Sequence, residues 1–255
     1  MRQFRKFTYK DTNLRISSDL FDVITDAVVT GRKELERYIR CHPEFKTSLV
    51  PVRLLSDAPD IAVKMAAAAQ KTGIGPMASV AGALAELGAK AAIYRGACEA
   101  IVENGGDMYI YSDTEVIVGI YAGEGALSEL SFNITTDVMP VAICSSSSKM
   151  GHSLSMGNCD LVTVISKNAA LADSFATAVC NKIRHEDELA SVLEQAGRSI
   201  NDLIDEKRSE KTGVDGILAV KNRKIALWGN LPPIIKNSDP SLKNKITKDL
   251  RSTLK

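Results

Sequence analysis

Residues 98–111 read CEAIVENGGDMYIY, two runs of strand-forming residues on either side of a Gly-Gly turn. The runs at 98–103 and 108–111 are rich in apolar, β-branched and aromatic side chains, and the Asn-Gly-Gly-Asp between them is typical of a tight hairpin turn. Residues 98–111 therefore predict two antiparallel strands near the middle of the chain.

Further runs of strand composition follow this hairpin, separated by turns that contain Gly or Asp. They are residues 115–121, 129–135, 138–144 and 161–165, and a second hairpin of 215–220 with 224–228. Residues 3–16 suit one or two short strands at the start of the chain. This order predicts a sheet that is mostly antiparallel.

Apolar residues recur at helical spacing before and after these strands. The predicted helices cover residues 18–43, 59–73, 77–94, 169–183 and 187–203. The third is dominated by Ala, Gly and Leu, so we expect another backbone to approach it closely. The combination predicts an α+β fold, a mostly antiparallel sheet packed with long helices.

Composition limits the domain count and the partners. With 255 residues, 45% hydrophobic and 25% charged, the chain predicts one domain over residues 1–235 and a solvated basic tail over 236–255. A net charge of +1 gives no global attraction to nucleic acid. No apolar run suits a signal peptide or a membrane span, so we expect a cytoplasmic protein without a membrane partner. Five widely spaced cysteines without a CxxC pair indicate reduced thiols.

Three segments carry candidate ligand-binding residues. Asn104, Gly105, Gly106 and Asp107 form a turn whose glycines permit positive φ and let a ligand approach backbone amides, although an ordinary hairpin turn explains the same residues. A second segment, residues 144–152, leaves a strand with four serines, a lysine and a histidine. Its hydroxyls, amides and Lys149 suit an anion, and His152 suits proton transfer, although serine runs also serve as linkers.

The third segment is a predicted helix in which Asp173 and Thr177 are four residues apart and so share a face. Their oxygens suit Mg²⁺ when nucleotide phosphates complete the coordination. An acidic residue that favours a helix N-terminus, followed by a small buried threonine, explains the pair equally well.

In this order, the three segments resemble the ApbE-type flavin transferases over residues 75–182, and the chain is similar to a conserved-hypothetical branch of that superfamily. The family's Ala-Lys-Gly-x-x-x-Asp helix signature corresponds to residues 81–86, with Glu86 as the carboxylate and no lysine, followed by Gly105-Gly106-Asp107. Its Ser-Thr-Ser-Gly loop corresponds to residues 144–148, and its histidine to His152 without the Asp-Pro that normally follows. Its Ala-Asp-Ala-x-x-Thr helix corresponds to residues 172–177.

The resemblance implies a T-fold-like domain that binds a flavin nucleotide (FAD or FMN) with Mg²⁺, in a family that moves FMN from FAD onto a threonine of an acceptor protein. It implies Asp173 and Thr177 as metal ligands and His152 as an acid, a base or a phosphate contact. The implied nucleotide contacts are Glu86, Asn104, Gly105, Gly106, Asp107, Ser145, Ser146 and Ser147. A homodimer is expected because T-fold relatives often associate.

Two other functions are compatible with the sequence. Cys144, beside the serines and near Lys149 and His152, suits a thiolate that carries a persulfide in the sulfur metabolism of cysteine or homocysteine, with Cys159 as its partner. Alternatively, the long first helix and the basic tail suit a non-catalytic accessory subunit.

Overall fold

The hairpin of residues 98–111 lies within an eight-stranded antiparallel sheet of the computed structural model, which describes residues 2–121, 129–148, 157–202 and 213–236. Its strands are β3 (Glu99–Asn104) and β4 (Asp107–Ser112), with Asn104 opposite Asp107. The turn between them is Gly105 and Gly106, whose φ angles are +65° and +107°. Such angles favour glycine, which explains the Gly-Gly pair.

The remaining strands extend the large sheet on both sides of the hairpin and form a second, smaller sheet. They are β1 (Arg5–Tyr9), β2 (Thr12–Ser18), β5 (Val116–Gly119), β6 (Leu130–Ile134), β7 (Val141–Ser146), β8 (Leu161–Ser166), β9 (Val214–Lys221), β10 (Lys224–Gly229) and β11 (Ile234–Lys236). The large sheet has the order β1-β2-β3-β4-β7-β8-β9-β10, and the small one β11-β6-β5. All recorded pairs are antiparallel, as the sequence predicts.

The helices cover one face of the large sheet. They are α1 (Phe21–Cys41), α2 (Glu44–Thr47), α3 (Asp60–Thr72), α4 (Val80–Tyr94), α5 (Ala169–Lys182) and α6 (Leu189–Asp202). Short 3₁₀ turns precede α4 (Pro76–Ser79) and α6 (Glu186–Glu188). Gly73, with φ +75°, ends α3 in the left-handed conformation that the sequence predicts for it.

Alternating strand residues divide the interior into two cores. Ala142 and Cys144 of β7 pack under the helices, whereas Val141 and Ile143 face the small sheet. This alternation follows from the two-residue period of a strand. It fixes which side chains of the strand ends can reach α4 and α5.

Helices α4 and α5 approach closely at Gly82, where a Cβ atom would lie 2.5 Å from the carbonyl oxygen of Ala169. This is the close backbone contact that the small residues of α4 predict. It brings the first turn of α4 against the side chain of Asp173 on α5.

The fold class is confirmed, with three corrections of detail. The hydroxyl-rich loop was expected to begin at Cys144, but β7 continues through Ser146 because Ser145 and Ser146 pair with Thr163 and Val162 of β8. The sequence did not indicate a second sheet. Lys236 belongs to β11 and pairs with Glu129 at 3.1 Å, so the predicted tail begins after the last strand.

Candidate functional site

Two buried carboxyl groups meet between the large sheet and the helices. Asp107 opens β4, and its Oδ1 accepts a hydrogen bond from the Ser145 amide at 3.1 Å. Asp173 lies on α5, and its Oδ2 accepts one from the Gly82 amide at 2.9 Å. Each residue is 7% exposed. We call Asp107 and Asp173 the acid pair.

Burial and mutual repulsion favour the protonated form of the acid pair. Burial, and then the charge of Asp173, raise the pKa of Asp107 well above its ordinary value. Burial raises the pKa of Asp173 to about 7, against hydrogen bonds from the Gly82 and Ala81 amides. Within the described residues, neither carboxyl forms an ion pair with a lysine, arginine or histidine. The acid pair is therefore compensated by a proton, or by a cation when one is bound.

Further oxygen atoms lie on the elements that carry the acid pair. Thr177 follows Asp173 by one helical turn and is 5% exposed. The Ser146 hydroxyl at the end of β7 is buried and makes no hydrogen bond within the described chain. Hydroxyl and carboxyl oxygens are of the hard type that Mg²⁺ prefers.

The Gly105-Gly106 turn leaves space beside this site. A Cβ atom built on either glycine would meet no atom within 4 Å. Next to the turn, the Asn104 amide group donates to the carbonyl oxygen of Ala81 at 3.2 Å, which ties the hairpin to the start of α4. The glycines are thus required by their φ angles, and open space remains where a ligand could reach the backbone.

Glu86 has a different environment from the acid pair, although it also lies between α4 and α5. Its Oε2 accepts from the Ala169 amide at 2.7 Å, and its Oε1 accepts from Lys90 at 2.5 Å. This buried carboxylate therefore caps the N-terminus of α5 and is charge-compensated. The geometry gives Glu86 a structural role, and its nucleotide contact stays a prediction from the sequence.

The environment of Cys144 is opposite to the one that a persulfide carrier requires. Its side chain is fully buried, and its thiol lies against the carbonyl oxygen of Ala169 at 3.5 Å. Burial, and then the charges of Asp107 and Asp173, raise the pKa of this thiol well above its ordinary value. Cys159, its expected partner, instead contacts the carbonyl oxygens of Leu161 and Val220. A reactive thiolate at Cys144 is thus disfavoured by two neighbouring carboxyls that the sequence did not place there.

The serines of the second segment divide between the two faces of the sheet. The Ser145 hydroxyl pairs with that of Thr163 at 2.9 Å, on the face away from α5, so only its amide serves the acid pair. Ser146 lies on the helix side, and Ser147 is buried. His152 and Lys149 lie outside the described residues.

The structure brings together Asn104, Asp107, the Ser145 amide and Asp173, as their order in the three segments suggested. Sequence reasoning missed the contribution of the Gly82 amide and the mutual repulsion of the two acids. The only signal for the first was the glycine at position 82, and nothing in the spacing of residues 107 and 173 indicates the second. No cluster of three or more His, Cys, Asp or Glu suited to a metal occurs in the described ranges.

The fold and this site define an ApbE-like α+β protein. The solved structure of an ApbE protein from Thermotoga maritima matches it with a TM-score of 0.56 at 13% identity, over 97% of this chain and all of that one (100%). At this identity the match concerns the fold. No helix within the described ranges is long and apolar enough to cross a bilayer.

Sequence relatives give the family. A UPF0280 protein of Methanospirillum hungatei is 41% identical over 90% of this chain and 89% of its own. One from Methanocaldococcus jannaschii is 37% identical over 91% and 93%. The family described as AbpE bacteria matches residues 2–208, and the chain belongs to this family. The predicted resemblance to a divergent ApbE-like branch is confirmed.

Proposed function

We propose that this protein binds a flavin nucleotide, FAD or FMN, together with Mg²⁺ at the acid pair. One observation carries the proposal: two buried carboxyls without a basic partner in the described chain lie on residues that the flavin-transferase resemblance designates for metal and nucleotide. An uncompensated pair of this kind is expensive unless a proton or a cation neutralises it.

The residues present fit a divalent cation. Asp173 and Thr177 would hold Mg²⁺ from α5, with Asp107 facing them from β4. Because Mg²⁺ retains several non-protein ligands, phosphate oxygens would complete its coordination. The cation would supply charge neutralisation of the phosphates.

The chain's own groups would position the nucleotide around this cation. The open space beside Gly105 and Gly106 admits a ligand close to the backbone, and the unbonded Ser146 hydroxyl supplies a further polar contact. Asn104 holds the hairpin to α4 and so keeps the turn in place. Ser147 and His152 remain predicted contacts from the sequence.

Transfer of FMN onto an acceptor protein is the finer part of the proposal. In that reaction an acceptor threonine oxygen attacks the FMN phosphorus, the bond to AMP breaks, AMP leaves, and the hydroxyl proton passes to a base, for which His152 is the candidate. Position and charge neutralisation supply most of the catalysis in such reactions. The family lysine is absent here, so nucleotide binding is the primary proposal.

The test is calorimetric titration of the protein with FAD, with and without Mg²⁺. We expect binding that depends on Mg²⁺ and weakens at least about tenfold in Asp173→Asn, a loss of about 1.4 kcal/mol or more. Asn at this position is of equal size and retains an oxygen to accept the Gly82 amide. The matched control is Asp26→Asn, an exposed helical aspartate on α1.

Two results would overturn the proposal. The first is no heat of binding at millimolar FAD with Mg²⁺ present. The second is equal affinity in wild type and Asp173→Asn, since the nucleotide site would then lie elsewhere. Thermal unfolding of each variant verifies that a loss of binding does not reflect a loss of fold.

A further inference from the structure

Lys221, the last residue of β9, is a buried lysine. It is 4% exposed, although lysine is among the residue types that are least often buried. Its ammonium group donates to the carbonyl oxygen of Asn158, and within the described ranges no ion pair joins it to a carboxylate. An ammonium group carries three donor protons, and this bond uses one of them. Lys221 therefore differs from a solvated surface lysine.

The Lys221 side chain lines a cleft of about 690 Å³, a volume within the range of small-molecule sites. The walls are the segment before β8, the turn that follows α5, and the β9–β10 turn. The Asn158 amide donates to the carbonyl oxygen of Ile183 at 2.9 Å, which joins the first two walls. The Asn222 amide donates to Asp160 Oδ2 at 2.7 Å, which joins the first to the third. Hydrogen bonds thus fix the walls relative to one another.

One of the two acids that line the cleft is already compensated. Glu186 pairs with Lys224 at 2.8 Å. The hydrogen bond and charge of Lys224, and more weakly the charge of Lys221, hold the pKa of Glu186 below its ordinary value. Because Glu186 already has Lys224 in direct contact, it offsets the charge of Lys221 only in part.

The turn after α5 adds two basic groups to the cleft. Arg184 and His185 are exposed there, and within the described residues no ion pair joins the Arg184 guanidinium to a carboxylate. The Glu188 carboxylate accepts the backbone amides of Arg184 and His185 at 2.8 and 2.9 Å. Asp187 is the other acid of the lining. Apart from the Glu186 ion pair, the lining therefore has Lys221, Arg184 and a titratable imidazole against one acid.

We propose that this cleft, which we call the Lys221 cleft, binds a phosphate group through Lys221 and Arg184, with His185 as a further donor. A phosphate oxygen would accept from the free donor positions of the buried ammonium group. The planar guanidinium of Arg184 suits two phosphate oxygens at once, whereas Lys221 acts as a point charge. The volume of the cleft leaves room for a phosphate monoester as well as for inorganic phosphate.

The Lys221 cleft is separate from the acid pair. Neither Asp107 nor Asp173 lines it. Lys182, the last residue of α5, follows Asp173 by nine residues, which corresponds to about 14 Å along the helix. The phosphate proposal therefore does not rest on flavin binding at the acid pair, and either can fail without the other.

The test is an NMR titration of the full-length ¹⁵N-labelled protein with inorganic phosphate, and separately with AMP, at constant ionic strength. Both titrations omit Mg²⁺, so that no metal-bound nucleotide forms at the acid pair. We expect saturable shifts of the amide signals of residues 158, 184–187 and 221–222. Equal affinity for the two ligands would assign the site to the phosphate group alone, and tighter binding of AMP would assign it to a nucleotide.

Arg184→Gln should raise the dissociation constant for phosphate at least about tenfold, because it removes a charged hydrogen-bond donor. This residue is exposed, so we expect the variant to fold. The matched control is Arg37→Gln, at an exposed arginine of α1 whose recorded hydrogen bond is to the carbonyl oxygen of Lys33. The control should bind phosphate like wild type.

Lys221→Met tests the buried ammonium group itself, since methionine keeps the apolar stem and removes the charge. It should weaken phosphate binding by a similar factor, with thermal unfolding as the check on its fold. If this variant does not fold, Arg184→Gln alone decides. The absence of saturable shifts with both ligands, shifts confined to other residues, or equal affinity in wild type and Arg184→Gln would overturn the proposal. Lys221 would then serve only to hold the segment before β8.

Discussion

The pH dependence of stability in Asp173→Asn tests the electrostatics of the acid pair directly. Burial raises the pKa of Asp173 from 3.8 to about 7, so the folded protein holds a proton that the unfolded chain releases between these values. A group whose folded pKa is raised contributes stability that is full below pH 3.8 and declines as pH rises toward 7. Wild type should therefore lose stability across this range because of Asp173.

The size of the effect follows from the shift. From the linkage relation, the raised pKa of Asp173 lowers stability by about 2 kcal/mol at pH 5, where only the unfolded chain ionises, and by about 4 kcal/mol at pH 8. Asparagine does not ionise, so the variant gains roughly 2 kcal/mol relative to wild type between these pH values. Any packing loss caused by the amide is the same at both pH values and cancels from this difference.

Urea unfolding at pH 5, 6, 7 and 8 measures the difference, provided that the slope with urea stays constant among variants. Asp26→Asn should follow wild type at every pH. Parallel curves for wild type and Asp173→Asn would refute the argument, because they would mean that the carboxyl is not desolvated. Added Mg²⁺ should stabilise wild type most at pH 8, where it no longer competes with a proton, and should have little effect on the variant.

Two further predictions follow from packing. In the native protein a thiol reagent should modify the exposed Cys41 and Cys98. The buried Cys144, Cys159 and Cys180 should react only after unfolding. Rapid labelling of Cys144 in the native protein would support the persulfide hypothesis instead. Gly82→Ala should lower stability by about 1–3 kcal/mol, because its Cβ would lie 2.5 Å from the Ala169 carbonyl oxygen. Gly119→Ala, with nothing within 4 Å of the added atom, is its control in thermal unfolding.

The sequence predicted the elements of the fold well where local chemistry decides them. The Asn-Gly-Gly-Asp turn, the left-handed Gly73 and the small residues of α4 each have a conformational or steric consequence that can be read locally. The division into two sheets could not be read in this way. Residues 115–121 and 129–135 have ordinary strand composition and pair with each other as β5 and β6. The third strand of their sheet, β11, pairs with β6 from Ile234 opposite Phe132, a contact that is remote in sequence.

The candidate site also depends on contacts between residues that are distant in sequence, so the sequence predicted it only in part. The sequence identified Asp107 and Asp173 separately, but the property that makes them a candidate site is their shared desolvation, which depends on how α5 crosses the sheet. The same crossing gives Cys144 a high pKa instead of a low one. Thiol reactivity was inferred from residues near Cys144 in sequence, and it is decided by carboxyls that are near only in space.

Glu86 and Asp173 differ in charge compensation, which distinguishes a structural carboxylate from a candidate site residue. Both are buried between α4 and α5, and both accept a backbone amide of the opposite helix. Glu86 also has Lys90 at 2.5 Å and Lys64 at 3.9 Å, so its charge is balanced within the protein. Asp173 instead lies near a second buried acid, Asp107. Since the two carboxylates are buried alike, it is the absence of a basic partner within the described chain that leaves Asp173 dependent on a proton or an added cation.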